Sequence, residues 1–226
     1  MSRIVLVPTP VGNLEDMTYR AVRVLQEAHL VAAEDTRTSG VLLRHYGIST
    51  PLTALHMHNE HLKTPQLLDK VAAEGLTLAV VTDAGTPGIS DPGFLLVREA
   101  LRRGIPVETL PGPTAFVPAL VSSGLPCDRF VFEGFLPPKK GRQTRIMALA
   151  QDPRTVVLYE SPHRLDKALE QLLAFFGPER PACIAREISK LHETYLRGTL
   201  AELLAQVQVQ PPKGEIVLII GGNPEA

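Results

Sequence analysis

The sequence has few cysteines, almost no net charge and no long apolar run, and each shortage excludes a class of protein. Its two cysteines, Cys127 and Cys183, lie far apart without a metal-type spacing, so a disulfide framework is not implied and buried thiols in a reducing compartment are favoured. The formal net charge of −1 favours neither nucleic acid nor a membrane surface, so any RNA-binding surface must be a local patch. No segment approaches the length of a membrane span, and prolines interrupt the apolar run of Met1–Val11, unlike a signal peptide. We therefore expect a cytoplasmic protein.

What the sequence does contain is the composition of an ordinary globular protein, with 44% hydrophobic and 21% charged residues among 226. Short apolar runs alternate with segments of helical periodicity, which predicts an α/β fold. The length suits two domains. We expect an N-terminal α/β domain over 1–113 and a C-terminal α/β domain over 114–226, while composition alone marks Leu125–Asp128 as the best boundary.

The most informative stretch is Leu78–Gly93, where an apolar run leads into a loop with three glycines and two prolines. Its apolar part, Leu78–Val81, is too short and too uniform for an amphipathic helix and predicts a buried central strand. The loop resembles neither a P-loop nor a dinucleotide fingerprint. We expect it to offer free backbone donors beside carboxylates, to bind a small ligand with cationic and anionic ends, and to end where Asp91 and Pro92 begin a helix. The alternative is a tight surface turn.

Other predicted strands of the first half also end in distinctive loops. Right-handed crossovers would bring these loops to one edge of a parallel sheet. The strands are Ile4–Val7, Leu30–Ala33 and Val107–Leu110, followed by the loops Pro8–Asn13, Glu34–Arg37 and Pro111–Ala115.

The segment His56–His61 holds three histidines and Glu60, which raises the question of a metal site. Its spacing lacks a helical His-x-x-x-His pair and no cysteine is near, so we predict a polar loop and no metal. We expect a helix to begin at Thr64 and Pro65 and to end at Glu74.

A basic loop is predicted in the second half at Gly134–Arg145, which holds Lys139, Lys140, Arg142 and Arg145. Such a loop is suited to contact a polyanion backbone, and the alternative is a solvated surface loop. Further on, Ala182–Ala185 is a predicted strand that leads into a charged turn at its end.

Ten segments, taken in order along nearly the whole chain, carry a family resemblance. They are LVPTPVGNLEDMTYRA, AAEDTRTSG, HMHNE, TDAGTPGISDPG, LPGPTA, GLPCDRFVFEGFLPPKKGR, LYESPHRL, AREISKLHET, RGTL and KGEIVLII. The chain resembles the ribosomal RNA small subunit methyltransferase I family, the RNA-modifying branch of the tetrapyrrole methylase superfamily. The resemblance implies S-adenosylmethionine as methyl donor and 2′-O-methylation of a cytidine ribose in the decoding region of small-subunit (16S) rRNA. It also implies a homodimer and two α/β domains of the tetrapyrrole methylase type with a ligand cleft between them.

The same resemblance implies a donor site built largely from main chain. Its residues are Pro10, Gly85, Thr86, Pro87, Ile89, Thr114, Ala115, Tyr159, Glu160, Ala185, Gly214 and Glu215. Thr114 is the one whose position varies among relatives. Family members commonly continue past the closing strand Glu215–Ile220, and we expect any RNA affinity from that extension to be absent or replaced here.

Methyl transfer to a ribose hydroxyl needs a base, and the motifs supply four candidates: Asp35, then Glu60, Glu187 and Lys190. His58 and His192 are further candidates. Asp35 has an alternative structural role as the ion-pair partner of Arg37, and Lys190 would serve only if burial lowered its pKa.

Five basic residues are candidate phosphate contacts for the RNA. They are Arg37, Lys139, Lys140, Arg142 and Arg186. Two other functions stay open. One is a tetrapyrrole methyltransferase acting on a corrinoid or siroheme precursor, against which the basic loop and the motifs AEDTR and HMHNE argue. The other is a non-catalytic module that binds S-adenosylmethionine.

Overall fold

The fold consists of two compact α/β units. The structure is a computed structural model that describes residues 2–224. Unit 1 is Met1–Thr114 and unit 2 is Ala115–Ala226, so the composition change at Leu125–Asp128 lies inside unit 2.

Unit 1 is built on a five-stranded sheet in the order β3-β2-β4-β1-β5, and every strand pair is parallel. Its elements are β1 (Arg3–Leu6), α1 (Tyr19–Glu27), β2 (Leu30–Ala33), α2 (Thr36–His45), β3 (Leu52–Ala54), α3 (Glu60–Glu74), β4 (Thr77–Val81), α4 (Phe94–Arg102) and β5 (Val107–Thr109). Because the strands are parallel, all their carboxyl ends lie at one edge of the sheet, which we call edge 1.

Strand β4 lies at the centre of this sheet and is buried along its whole length, as its apolar run predicts. Alternate residues of the strand enter different cores, because successive side chains point to opposite faces. Ala79 and Val81 pack with Leu25 of α1, whereas Leu78 and Val80 pack with Leu68 of α3. The sheet is therefore covered on both faces.

Unit 2 has a mixed five-stranded sheet in the order β6-β7-β10-β8-β9, in which only β6 and β7 pair in parallel. Its elements are α5 (Phe116–Ser123), β6 (Phe130–Phe135), α6 (Arg142–Ala150), β7 (Thr155–Glu160), α7 (Leu165–Phe176), β8 (Pro181–Arg186), β9 (Thr194–Thr199), α8 (Leu200–Val209) and β10 (Ile216–Ile220). The end of β7, the end of β8 and the start of β10 share one edge, which we call edge 2, because Ile216 pairs with both Glu160 and Arg186.

Two predicted helix starts are wrong. Helix α3 begins at Glu60 rather than Thr64, since the amide of Glu60 already donates to the carbonyl of His56, and Pro65 lies inside the helix. Helix α4 begins at Phe94, after Gly93 at φ 131°, so Asp91 is not its N-cap. Strand β9 was not predicted because it is a half-exposed edge strand that lacks an apolar run.

Candidate functional site

The loops after β1 and β4 are joined at edge 1 by a pair of main-chain hydrogen bonds. The amide of Thr9 donates to the carbonyl of Gly85, and the amide of Gly85 donates to the carbonyl of Thr9, each at 2.9 Å. The hydroxyl of Thr86 donates to the carbonyl of Pro113 at 3.0 Å, which ties in the loop after β5. Three proline- and glycine-rich loops therefore form one connected surface.

The glycine-rich loop uses several of its own backbone donors internally. Besides Gly85, Gly88 donates to the carbonyl of Pro92 at 3.1 Å. A Cβ on Gly93 would lie 3.3 Å from the Gly88 nitrogen, so the loop closes tightly on itself. The expectation of free donors is thus wrong for Gly85 and Gly88, whose amides have partners within the loops.

Glu60 is placed where it caps a helix. Its side chain is buried, and Oε1 accepts hydrogen bonds from the amides of Gly93, Leu95 and Leu96 at 2.9, 2.9 and 3.2 Å. These amides at the start of α4 would otherwise lack partners, because helix starts have no preceding carbonyls to accept from them. This placement argues against Glu60 as the base.

Asp35 is the N-cap of α2 and accepts from the amide of Arg37 at 2.8 Å. The Arg37 guanidinium also pairs with it at 2.7 Å, and these hydrogen bonds lower the pKa of Asp35 to about 2. A carboxylate with so low a pKa is a weak proton acceptor at neutral pH. The alternative structural role of the Asp35–Arg37 pair therefore fits the geometry better.

A further group of carboxylates at edge 1 has raised pKa values, in contrast to the lowered pKa of Asp35. Burial, with a smaller repulsion from neighbouring carboxylates, raises the pKa of Glu34 and of Asp83. Asp91 shows the largest effect: burial, followed by the charges of Glu34 and Asp83, raises its pKa to about 7. The sequence pattern predicts only that Asp91 begins a helix, and the partly buried position of Asp91 beside two other carboxylates is what distinguishes it.

At edge 2 the strand register brings together most of the residues of unit 2 that are predicted to bind the methyl donor. Tyr159 pairs with Val217, which in turn pairs with Ala185, while Glu160 pairs with Ile216. Gly214 and Glu215 lie immediately before that strand residue. The ring of Tyr159 contacts those of Phe132 and Phe135, which fixes its position at the sheet end.

Glu187 and Lys190 form an ionic cluster with Glu215 at the same edge. Lys190 Nζ lies 3.0 Å from Glu187 Oε1 and 3.2 Å from Glu215 Oε2. Burial opposes the charge of Lys190, but the two carboxylates outweigh it and raise its pKa. Lys190 is thus held as a cation. It would serve as a base only with a lowered pKa, and its pKa is raised instead.

The Glu187 carboxylate is also engaged, since it accepts from the Glu215 amide at 2.8 Å. That hydrogen bond, together with Lys190, lowers the pKa of Glu187. Gly214 has a φ of +93°, and a Cβ there would lie 2.3 Å from Glu187 Cδ, so a larger residue would be strained and would displace the Glu187 side chain. Glu187 therefore holds the turn before β10.

The predicted phosphate contacts differ in their accessibility. Lys139 and Lys140 are exposed. Arg142 is the first residue of α6, with a side chain only 11% exposed, and lies 3.2 Å from Glu160, which is 7% exposed. Arg186 donates to the carbonyls of Lys213 and His192, and so braces two loops. Arg142 and Arg186 are thus structural in this arrangement, while Arg37 remains exposed on its ion pair with Asp35.

The other residues that are predicted to bind the methyl donor lie on the loops described above or at the start of a helix. Pro10 follows the Thr9–Gly85 pairing, Pro87 is buried and Ile89 is 40% exposed. Thr114 ends unit 1, and Ala115 is the N-cap residue of α5.

Residues 2–224 have neither a metal-type cluster of side chains nor a membrane-spanning helix. They contain no group of three histidine, cysteine, aspartate or glutamate side chains placed to hold a metal ion. They also contain no helix long and apolar enough to cross a membrane.

The chain has clear relatives among known proteins. Residues 3–204 match the family model described as Tetrapyrrole (Corrin/Porphyrin) Methylases. The chain is 52% identical over 223 residues to the ribosomal RNA small subunit methyltransferase I of Synechocystis sp., covering 98% of this chain and 80% of that protein.

Solved structures give the same fold. A uroporphyrin-III-C-methyltransferase from Thermus thermophilus superposes with a TM-score of 0.70 at 26% identity, covering 98% of this chain and 94% of that one. A second structure of a uroporphyrin-III C-methyl transferase from that organism, complexed with S-adenyl homocysteine, has a TM-score of 0.67 at 23% identity and covers 96% of each chain.

Proposed function

We propose a function for this chain from one premise: it belongs to the tetrapyrrole methylase family and, within it, to the ribosomal RNA small subunit methyltransferase I family. It is accordingly a methyltransferase that modifies small-subunit rRNA. We infer that the acceptor is the 2′-oxygen of a cytidine ribose in the decoding region. The observation that favours rRNA over a tetrapyrrole as the substrate is the identity of 52% to an rRNA methyltransferase over nearly the whole chain, against 26% to a tetrapyrrole methyltransferase.

The methyl donor we infer is S-adenosylmethionine, which supplies a methyl group already activated by a sulfonium. The residues at edge 1 fit such a donor. Glu34, Asp83 and Asp91 form an anionic surround that favours a cation, and the adjoining loops offer the close-packed main chain of Gly85 to Pro87.

The chain's main contribution to the rate is alignment. Methyl transfer is an in-line displacement in which the ribose oxygen forms a bond to the methyl carbon while the carbon–sulfur bond breaks. Fixing the reacting atoms in line removes a large part of the barrier through proximity alone. The loops joined through Thr9, Gly85 and Pro113 are the rigid frame that this alignment needs.

We assign acceptance of the hydroxyl proton to Asp91. A general base works best when its pKa lies near the operating pH, and burial beside two carboxylates raises the pKa of Asp91 to about 7. Arg37 holds the pKa of Asp35 at about 2, and Glu60 accepts hydrogen bonds from three backbone amides. Lys190 and Glu187 neutralise each other. Asp91 is the carboxylate at edge 1 whose setting suits the task.

For the state and place of the enzyme, we propose a homodimer in the cytoplasm, as the family resemblance implies. Small ribosomal subunits are the substrate in that compartment. The exposed pair Lys139 and Lys140 would contact the rRNA backbone.

The experiment that tests this function is methyl transfer from labelled S-adenosylmethionine to three acceptors in parallel. These are small ribosomal subunits without the modification, bare small-subunit rRNA and a tetrapyrrole precursor. We expect label in RNA and none in the tetrapyrrole. Label in the tetrapyrrole alone would reject RNA as the substrate, and donor binding without any transfer would indicate a non-catalytic module.

A further inference from the structure

The last residue of β6, Phe135, is an exposed aromatic residue at edge 2. Strand β6 is an edge strand that pairs in parallel with β7, and Phe135 lies opposite Tyr159. Phe135 is 59% exposed, and its ring centroid lies 5.5 Å from that of Tyr159. A large apolar ring therefore meets solvent beside a residue that is predicted to bind the methyl donor.

A β-bulge places this ring on its face of the sheet. The register of β6 with β7 shifts by one residue between Phe132 and Gly134. In an unshifted strand Phe135 would point to the face of Leu158, which is buried under the helices α6, α7 and α8. The shift turns Phe135 to the opposite face, and Gly134 adopts the left-handed backbone (φ 69°) at the bulge. The departure from regular strand geometry thus leaves a phenylalanine exposed where a regular strand would bury it.

The ring of Phe135 belongs to a continuous group of aromatic side chains in unit 2, which we call the aromatic strip. Phe135 and Phe132 each contact Tyr159. Phe132 also stacks on Phe116, with ring centroids 4.5 Å apart, and Phe116 contacts Phe130. The chain has seven phenylalanines and four tyrosines, and five of these eleven rings form the strip, so Phe135 is not a solitary apolar residue of the surface. The other four are half-buried, and Phe135 is the ring that the strip presents to solvent.

Two exposed lysines follow Phe135 on a loop that is fixed to the same edge. Lys139 and Lys140 lie four and five residues further along the chain. Arg142 donates from its amide to the carbonyl of Lys139 at 3.2 Å and from its guanidinium to the carbonyl of Pro137 at 3.3 Å. The same guanidinium forms an ion pair with the last residue of β7. The loop that carries the lysines is thus held in place beside Phe135.

We propose that Phe135 stacks on an unpaired base of the rRNA while Lys139 and Lys140 contact phosphates of the same strand, an inference that rests on the proposed function. Proteins that bind single-stranded nucleic acid combine aromatic rings, on which bases stack, with basic groups that follow the backbone. Stacking tolerates any base, so Phe135 contributes affinity and position rather than a choice of sequence.

The charges beside the ring favour RNA over a second copy of this chain as the partner. Among residues 2–224, neither Lys139 nor Lys140 forms an ion pair with a carboxylate, so both charges are available to phosphates. An apolar contact between two copies would instead bring the same unpaired lysines towards each other. The exposed ring and the adjacent cations are thus complementary to a base and its phosphates.

The first test uses the absence of tryptophan from the sequence. Phe135→Trp introduces a single indole, whose fluorescence a stacked base quenches. The probes are a single-stranded cytidine oligoribonucleotide and polyphosphate, which carries negative charge without bases. We expect the oligoribonucleotide to quench the fluorescence and polyphosphate to leave it unchanged, while the control Phe175→Trp, at a 36% exposed position of α7, responds to neither. Equal quenching by the two probes, or no quenching when the oligoribonucleotide saturates the variant in filter binding, would overturn the proposal.

The second test compares side chains of similar size. Phe135→Tyr keeps an aromatic face, whereas Phe135→Leu keeps apolar bulk without one. We expect Phe135→Leu to weaken binding to small ribosomal subunits without the modification by about 10-fold, and Phe135→Tyr to bind as the wild type does. Because neither substitution changes a charge, the dependence of affinity on salt should stay that of the wild type. Phe175→Leu is the control and should bind normally. Equal affinity of Phe135→Leu and Phe135→Tyr would contradict stacking.

Two further measurements on Phe135→Leu distinguish stacking from other roles of the ring. Its affinity for S-adenosylmethionine in calorimetry and its oligomeric state in sedimentation should both equal those of the wild type. A loss of donor affinity that matches the loss of subunit binding would assign the ring to the donor. Dissociation of the oligomer would assign it to a second copy of the chain, and either result would overturn the proposal.

The wild type separates the two levels of inference. If it transfers no methyl group to small subunits, the proposed function itself fails and the stacking role fails with it. If the wild type is active and Phe135→Leu binds subunits as tightly as the wild type does, only the stacking role is rejected.

Discussion

Glu60 illustrates how the same residue type supports different roles until its partners are known. In the sequence it stands among three histidines and suits either a base or a metal ligand. In the structure, Oε1 of Glu60 accepts hydrogen bonds from three backbone amides at the start of α4. Long-range capping of this kind joins residues more than thirty positions apart, which no local pattern in a single sequence reveals.

We expect Glu60→Ala to destabilise the protein by about 2–3 kcal/mol, because a charged acceptor is lost and buried amides are left without a partner. Urea unfolding measures this change, with Glu74→Ala at the exposed end of the same helix as the control. Loss of methyl transfer with no loss of stability would instead favour the role of a base.

Asp91 gives a pH dependence whose sign follows from its raised pKa. The folded protein keeps the Asp91 proton up to about pH 7, whereas the unfolded chain loses it near the ordinary value of 3.8. Between these values the folded state binds more protons, so this group's contribution to stability falls as the pH rises. We expect Asp91→Asn to flatten the curve of melting temperature against pH between about pH 4 and about pH 7, the window set by the unfolded and folded pKa values. Asp128→Asn, whose side chain is 78% exposed, is the control and should leave the curve unchanged.

The same substitution tests the catalytic assignment, because loss of a general base costs about 100-fold or more in rate. The wild-type rate should rise with pH through about 7 as Asp91 ionises. A variant that keeps the wild-type rate and pH profile would remove Asp91 from the mechanism.

At the scale of elements, the basic loop before α6 divides into two parts with different roles. Lys139 and Lys140 are exposed, whereas Arg142 turns inward to Glu160 and also donates to Gln171 at 2.7 Å. The pattern of charges in the sequence is uniform, and only the helix start at Arg142 separates them. Lys139 and Lys140 are therefore the residues of this loop that we still expect to contact a polyanion.

We expect Arg142→Met to cost about 3–5 kcal/mol in unfolding free energy, since it leaves the buried Glu160 carboxylate unpaired. Arg145→Met is the matched control on the same helix, where the half-exposed pair with Glu133 should contribute about 1 kcal/mol or less. Similar losses in the two variants would show that burial does not distinguish the pairs.

Charge reversal of the lysines, Lys139→Glu with Lys140→Glu, should weaken RNA binding and leave donor affinity unchanged. If each lysine contacts one phosphate, the slope of log affinity against log salt should fall by about 2 in magnitude. Reversal of the exposed Lys70 and Lys167 changes the net charge equally and serves as the control. Equal weakening by both pairs would mean that only net charge matters.

For the molecule as a whole, the sequence predicted what depends on local pattern. The sequence places the strands β1, β2, β4 and β10 to within a residue or two, because they are short apolar runs. The gathering of strand-end loops at one sheet edge followed from the parallel α/β pattern. The family resemblance was confirmed by the matches to known proteins.

The parts of the site that sequence could not predict depend on contacts across the fold. The raised pKa of Asp91 requires its burial beside Glu34 and Asp83. The ionic cluster around Lys190 requires the pairing of β8 with β10. Roles that depend on such neighbours become visible only once the chain is folded.

The most direct test of the central claim is to locate the transferred methyl group within the nucleotide. Small subunits labelled by the wild-type protein are stripped of protein, and their rRNA is hydrolysed in alkali, which cuts after every nucleotide whose 2′-hydroxyl is free. We expect the label in an alkali-resistant dinucleotide whose first nucleoside is cytidine. Label recovered in a mononucleotide would place the methyl group on a base and would contradict ribose methylation.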